Sequence, residues 1–377
     1  MRTAPAITLV LLLAACASSP APVEPKPEKP TVENTHPDPK PEPAPATKID
    51  RSTETDYDLA AFASRIAKAD EYAIEGKRTA GAFVLSGIKL RLDEGKQRER
   101  LFLDLKLAEL WGGAGVASGE ARNEEKALDL INAVEGAASF DSRLLADAQV
   151  ARAVVALGAE NVPRAESAFL AAMTQYEKAG AYVRSIDAAR YALRIFYKRN
   201  DDQRALRFAR LGYLTAQDLD KPGALCLVAL DCAMLSFRTQ AKSQAVDYLN
   251  DAYAAALKTN NLRFINAVIA QAVLELSGIG EFGEAAHWGE AMRQNGELPD
   301  QSMSGLAPFE YARTLCLYAL SLNESDAASA RLAPSLKLAH EAAQAALKAE
   351  GLGEFERKEL EGLSEKVHSA LLKTGGG

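Results

Sequence analysis

The chain has 377 residues, 48% of them hydrophobic and 25% charged, with a formal net charge of -7. That balance describes a folded, mildly acidic protein of one large or two ordinary domains, and it excludes a globally basic nucleic-acid binder. Prolines are unevenly spread: ten of the sixteen fall between Pro20 and Pro45, and five lie beyond residue 50. The proline-poor remainder is rich in Ala, Leu, Glu, Lys and Arg, a composition that favours helix.

In chain order, residues 1–15 come first. Arg2 supplies a minimal positive start and Ile7–Leu13 a short apolar run, too short to span a bilayer and suited to a removable export signal. The run ends in Leu13-Ala14-Ala15-Cys16, which resembles the lipobox of bacterial lipoproteins. The resemblance implies that Cys16 becomes the lipidated first residue of the mature chain. A thioether-linked diacylglycerol and an N-terminal acyl chain of the palmitate class then supply the multiple anchors that stable membrane attachment requires. In such lipoproteins an aspartate directly after the cysteine retains the protein at the inner membrane. Ala17 stands there instead, which implies an outer-membrane anchor facing the periplasm.

From Cys16 to about Asp50, Pro alternates with Glu, Lys and Ala, and large apolar residues are almost absent. Such a stretch cannot bury a core and favours extended polyproline II. At ~3.1 Å per residue it can hold a folded part up to roughly 80–90 Å from a bilayer. A tether is the expected role.

Residues 51–377 read as one α-helical domain. Tyr57–Asp70, Glu71–Leu92 and Arg98–Trp111 have helical apolar spacing, and the glycines of 112–119 then punctuate the chain. Beyond them a pattern recurs. Ala165, Ala168, Phe169, Ala172, Met173 and Tyr176 mark one helical face, and forty residues on the same offsets give Ala205, Phe208, Ala209, Gly212, Tyr213 and Ala216. Two further steps give Ala245, Tyr248, Leu249, Ala252, Tyr253 and Ala256, then Ala285, Trp288, Gly289 and Met292; a fainter copy is Ala127, Leu130, Ile131, Val134 and Ala138. A face returning at a fixed period marks a repeat array. The pattern resembles the tetratricopeptide repeat, most closely at Gly280-Glu281-Phe282-Gly283-Glu284-Ala285. It differs in its period of forty rather than thirty-four, and in carrying Asn200 and Gln240 at the turn glycine. The resemblance implies a solenoid of helical hairpins over about residues 98–350. After an interruption at Pro299–Pro308, a further pair is expected at Pro308–Leu322 and Leu332–Ala349, and a capping helix at about 354–373, with Leu360, Leu363, Val367 and Leu371 as its buried stripe. The glycines of 375–377 are expected to fray.

Chemistry-bearing motifs are sparse. Gly278–Gly283 matches a dinucleotide fingerprint by letter, but a helix rather than a strand precedes it, so a repeat turn is expected. His36, His287, His340 and His368 stand apart in sequence, and Cys226, Cys232 and Cys316 form no CxxC pair and read as buried hydrophobes. No cofactor, metal or enzymatic activity is expected. One segment exceeds background: Arg184–Arg210 holds eight basic and three acidic residues. Within it Arg190, Arg194 and Lys198 form a stripe beside Tyr197. Under the repeat resemblance this stripe lies on the ligand-facing side, a candidate site for an anion or peptide end, with Met234 and Phe237 contributed by the next repeat. The alternative is a solvated face paired with Asp187 and Asp201. The expected function is a protein–protein interaction scaffold in an envelope assembly, without nucleic acid. A solute- or glycan-binding accessory lipoprotein is the alternative.

Overall fold

The computed structural model describes residues 57–113, 122–138, 141–295, 307–349 and 352–374. The export signal, Cys16, the tether, most of the Pro299–Pro308 interruption and the terminal glycines lie outside the described residues. Those that are described form fifteen α-helices, one 3-10 turn (Ala60–Phe62) and no strand. The first helices are α1 (Ala63–Glu75), α2 (Arg78–Lys89), α3 (Gln97–Gly112) and α4 (Glu124–Ala137). Next come α5 (Ser142–Gly158), α6 (Val162–Lys178), α7 (Tyr182–Lys198), α8 (Asp202–Gln217), α9 (Pro222–Arg238), α10 (Lys242–Thr259), α11 (Leu262–Gly278) and α12 (Phe282–Asn295). The chain closes with α13 (Pro308–Ser325), α14 (Leu332–Leu347) and α15 (Glu354–Lys373). The expected helices at Tyr57–Asp70 and Glu71–Leu92 are redrawn. Tyr57 to Leu59 is not helical, α1 runs through the expected boundary, and the break falls at Gly76, whose φ of 73° ends α1 in the left-handed region.

Six of the seven connections between α5 and α12 share one feature. Glu160, Gly180, Asn200, Gln240, Asn260 and Gly280 all have positive φ, so the αL position that glycine fills at Gly280 is also occupied by side-chain-bearing residues. At Gln240 the Schellman geometry is complete: its own N–H donates to the Phe237 carbonyl and the next N–H, of Ala241, to the Ser236 carbonyl. Glu160, Gly180, Asn200 and Gly280 close their turns with the same two bonds. The next helix then starts at once, with Asn161, Asp201 or Asn261 accepting a backbone N–H as N-cap. Replacing Asn200 or Gln240 for glycine therefore alters the energy of the turn and leaves its path unchanged.

Helices associate chiefly as neighbours in sequence: α5 with α6, α7 with α8, α9 with α10, α13 with α14. First helices also meet their successors, α7 with α9, α9 with α11 and α11 with α13, contacts that the second helices do not make to a similar extent. The repeating face is packed between them. Ala165, Phe169, Ala205, Phe208, Ala245, Leu249 and Ala285 are fully buried, and Phe208 stacks on Phe196 at 5.6 Å. Small residues set the approach distance: a Cβ on Gly289 would collide with the Tyr318 ring and lie 2.7 Å from its Cβ, so α12 and α13 close only over glycine. Cys226, Cys232 and Cys316 are free and buried. α15 covers α13 and α14 with Leu360, Val367 and Leu371.

Two hydrophobic cores result. One joins residues 57–155 and the other continues from Ala146 to Leu371. α5 belongs to both: Leu144, Ala148, Ala151 and Val155 face the first, while Ala146, Val150, Ala153 and Leu157 face the second. No described helix is long and apolar enough to cross a membrane.

The turn geometry gives a direct test. A side chain in the αL region costs about 1 kcal/mol relative to glycine. Gln240→Gly is expected to stabilise the fold by about 0.5–1 kcal/mol despite its greater unfolded-state entropy, read as a higher denaturant midpoint with unchanged helicity.

Candidate functional site

Where the two cores meet at α5, a cavity of about 230 Å³ opens, lined from α1, α3, α5, α6 and α7. α3 brings Phe102, Leu105, Lys106 and Glu109, two of them charged. α1 adds Ile66 and Asp70, α5 Asp147 and Val150, α6 Tyr176, and α7 Arg184, Asp187, Ala188, Tyr191 and Arg194. Apolar walls with several converging charges are the usual make-up of a ligand site.

The charges are organised in two groups. Lys106 Nζ lies 3.2 Å from both Asp70 Oδ1 and Glu109 Oε2, so two carboxyls share one ammonium. Tyr191 donates its hydroxyl to the same Glu109 oxygen at 2.9 Å, and Lys106 stands 5.1 Å over the Tyr191 ring. Burial raises the Glu109 carboxyl to about 7; the Lys106 charge opposes that rise and Asp70 reinforces it. Lys106 itself stays charged, because the attraction of Asp70 and Glu109 outweighs its desolvation. In the second group Asp147 accepts hydroxyl hydrogen bonds from both Tyr57 and Tyr176, one on each oxygen. Its burial raises the carboxyl, and the nearby Arg184 opposes that rise. Tyr57 is held by stacking on Phe102 at 4.5 Å, with Arg98 and Arg184 over its ring at 4.7 and 5.2 Å. The non-helical segment before α1 thus packs behind two lining residues of the cavity, Phe102 and Asp147.

The basic segment Arg184–Arg210 is divided by the fold. Arg190 is buried and paired with the equally buried Asp231 of α9, Nε to Oδ2 at 2.6 Å. Arg204 and Arg207 both reach Glu166 of α6, and Arg238 holds Asp202 while standing 4.7 Å over the Tyr197 ring. These ties link one helix pair to the next, which the ligand-stripe reading does not anticipate; within the segment Arg204 also pairs with Asp201 at 2.5 Å, as the alternative expects. Lys198 is exposed, and Met234 and Phe237 are buried in the core. Of the stripe Arg190, Arg194, Tyr197 and Lys198, Arg194 alone lines the cavity. It is half-buried, with no hydrogen bond or ion pair to a described residue; burial first and Arg190 second lower its pKa.

Sequence reading missed Asp70, Lys106, Glu109, Asp147 and Tyr191 as a group because they come from four helices. The signal that could have found Lys106 and Glu109 is their place within Leu101–Leu110, where each interrupts an apolar run. His340 and His368, far apart in sequence, stack with centroids 5.0 Å apart between α14 and α15. No group of three or more His, Cys, Asp or Glu suited to a metal ion occurs among the described residues.

Compared with known protein families and with curated proteins, the chain matches none.

The Arg190–Asp231 pair is a structural tie. Removing one partner of a buried pair leaves a desolvated charge and costs about 3–5 kcal/mol. Asp231→Ala is expected to lower stability by that amount in denaturant unfolding, and adding Arg190→Leu is expected to recover most of it.

Proposed function

We propose that this protein is a lipid-anchored bacterial envelope component that works by binding rather than by catalysis. In this reading Cys16 carries the lipid at the periplasmic face of the outer membrane, and the segment to about Asp50 spaces the helical domain from it. The array is tetratricopeptide-like, with a period of about forty. Helix starts at Ser142, Tyr182, Pro222 and Leu262, and at Val162, Asp202, Lys242 and Phe282, support that period. The direct contacts between first helices support an inner layer available for recognition.

The partner is a protein of an envelope assembly, of the kind that serves secretion or pili, outer-membrane assembly or cell-wall synthesis. One observation carries the binding role: Arg194, a partly desolvated cation with no hydrogen bond or ion pair to a described residue, lines a cavity with apolar walls. A guanidinium there is suited to a carboxylate, which it can engage with two parallel hydrogen bonds. A second reading, a solute- or glycan-binding accessory of a transporter or wall enzyme, is favoured by size. At about 230 Å³ the cavity is smaller than the roughly 300–1,000 Å³ of drug-sized sites, so it suits a small solute or a single terminal group.

Two measurements test the reading. Cys16→Ser is expected to move the protein from the membrane fraction to the soluble fraction; retention in the membrane would remove the lipid anchor from the account. Arg194→Glu, with helicity intact, is expected to abolish co-purification of an envelope partner from gently solubilised membranes. A partner recovered equally well by the variant would take the cavity out of partner binding.

A further inference from the structure

We propose that the cavity is a proton-linked carboxylate site, in which Arg194 anchors the ligand carboxylate and Glu109 takes up a proton from solvent as the ligand enters. This rests on reading the cavity as a binding site. The proton linkage is the new element, and it follows from how the charges are already committed. Asp147 uses both oxygens on the Tyr57 and Tyr176 hydroxyls. Asp70 and Glu109 share the single ammonium of Lys106. Arg184 stands over the Tyr57 and Phe102 rings. Among the described cations of the lining, Arg194 is the one with no hydrogen bond or ion pair to a described residue, so it can take an incoming anion, which becomes a further negative charge in a space that already holds several.

The groups facing Glu109 are Asp70 from α1, Lys106 on its own helix, Asp147 from α5, Tyr176 from α6, and Arg184, Asp187, Tyr191 and Arg194 from α7. Among the carboxyls, Glu109 is the one placed to relieve the added repulsion. It is buried, it already accepts from Tyr191, and its carboxyl sits at about 7, so neutralising it is inexpensive near neutrality. A ligand carboxylate raises it further. The sign follows. Below about pH 7 the proton is largely in place and the ligand binds without drawing one. Above that, each bound ligand draws up to one proton, and affinity falls by up to about tenfold per pH unit until Glu109 is ionised in both states. No bond other than O–H at Glu109 is made or broken.

The test is titration calorimetry on the full-length protein in detergent, using benzoate and its neutral counterpart benzamide from about pH 5.5 to about pH 8.5. Each titration is repeated in buffers of different ionisation heat, so that protons are counted directly. A short peptide with a free carboxyl terminus and its amidated form make a second arm, separating a small acid from a polypeptide end as the source of the carboxylate. Expected results are binding of the carboxylates over the amides, proton uptake rising above neutrality, and loss of both the uptake and the pH dependence in Glu109→Gln. Carboxylate binding with no proton uptake in the unmodified protein overturns the linkage, even if Glu109→Gln fails to fold. A pH profile that survives Glu109→Gln overturns the role of Glu109. If neither benzoate nor the peptide binds at the acid end, the binding-site reading itself fails.

Discussion

The structure depends on a helix that must be covered on two sides. α5 turns one apolar face to the core of residues 57–155 and another to the core running to Leu371. Helix pairs that stack in one dimension bury their faces only against their neighbours, so the place where one stack joins another is a constraint on everything around it. α3 lies against α5 on one side, and α6 lies against it on the other, with α7 beyond. The charged side chains of α3 and α7 are brought together at this join, where the Tyr191 hydroxyl donates to Glu109. The cavity is what remains between surfaces that meet without being repeats of each other.

Along the rest of the array the join is regular, and charge serves it differently. Arg190 with Asp231, Arg204 with Glu166 and Arg238 with Asp202 each connect residues about one helix pair apart in the chain. The half-exposed pairs contribute little individually. The buried Arg190–Asp231 pair differs, since either charge alone would be stranded out of water. Such a pair opposes any slip of α7 past α9, a constraint that apolar packing of Ala against Ala does not impose by itself. Arg190 and Arg194, one helical turn apart, thus have opposite roles: one closes an interface and the other lines an opening.

How much could be read without the fold varies by feature. α15 was legible at both ends because Leu360, Leu363, Val367 and Leu371 keep one helical stripe between a glycine and a charged end. The turns were legible as turns, yet Asn200 and Gln240 looked like departures from the pattern when their backbone is that of Gly280. Residue type reports propensity, and tertiary packing on both sides can hold a non-glycine residue in αL. Near the N-terminus the boundaries were misjudged, since apolar spacing passes unbroken through Gly76 and only backbone geometry there separates α1 from α2.

What the sequence determined by itself is the helical class, the positions of most hairpins and the face each helix buries, because these follow from periodicity along one segment at a time. It also carries the lipobox-like start and the proline-rich stretch, which are local patterns. What only the tertiary structure decided is which charges are spent and which is available. Arg190, Arg194 and Lys198 are equivalent as a stripe, and they separate only when Asp231 of α9 arrives to take the first and α3 and α5 enclose the second. The cavity itself, with Asp70, Lys106, Glu109 and Asp147 drawn from α1, α3 and α5, has no signature in any one segment. Its residues meet across helices because burying apolar faces brings those helices together, and the charges go where the backbone takes them.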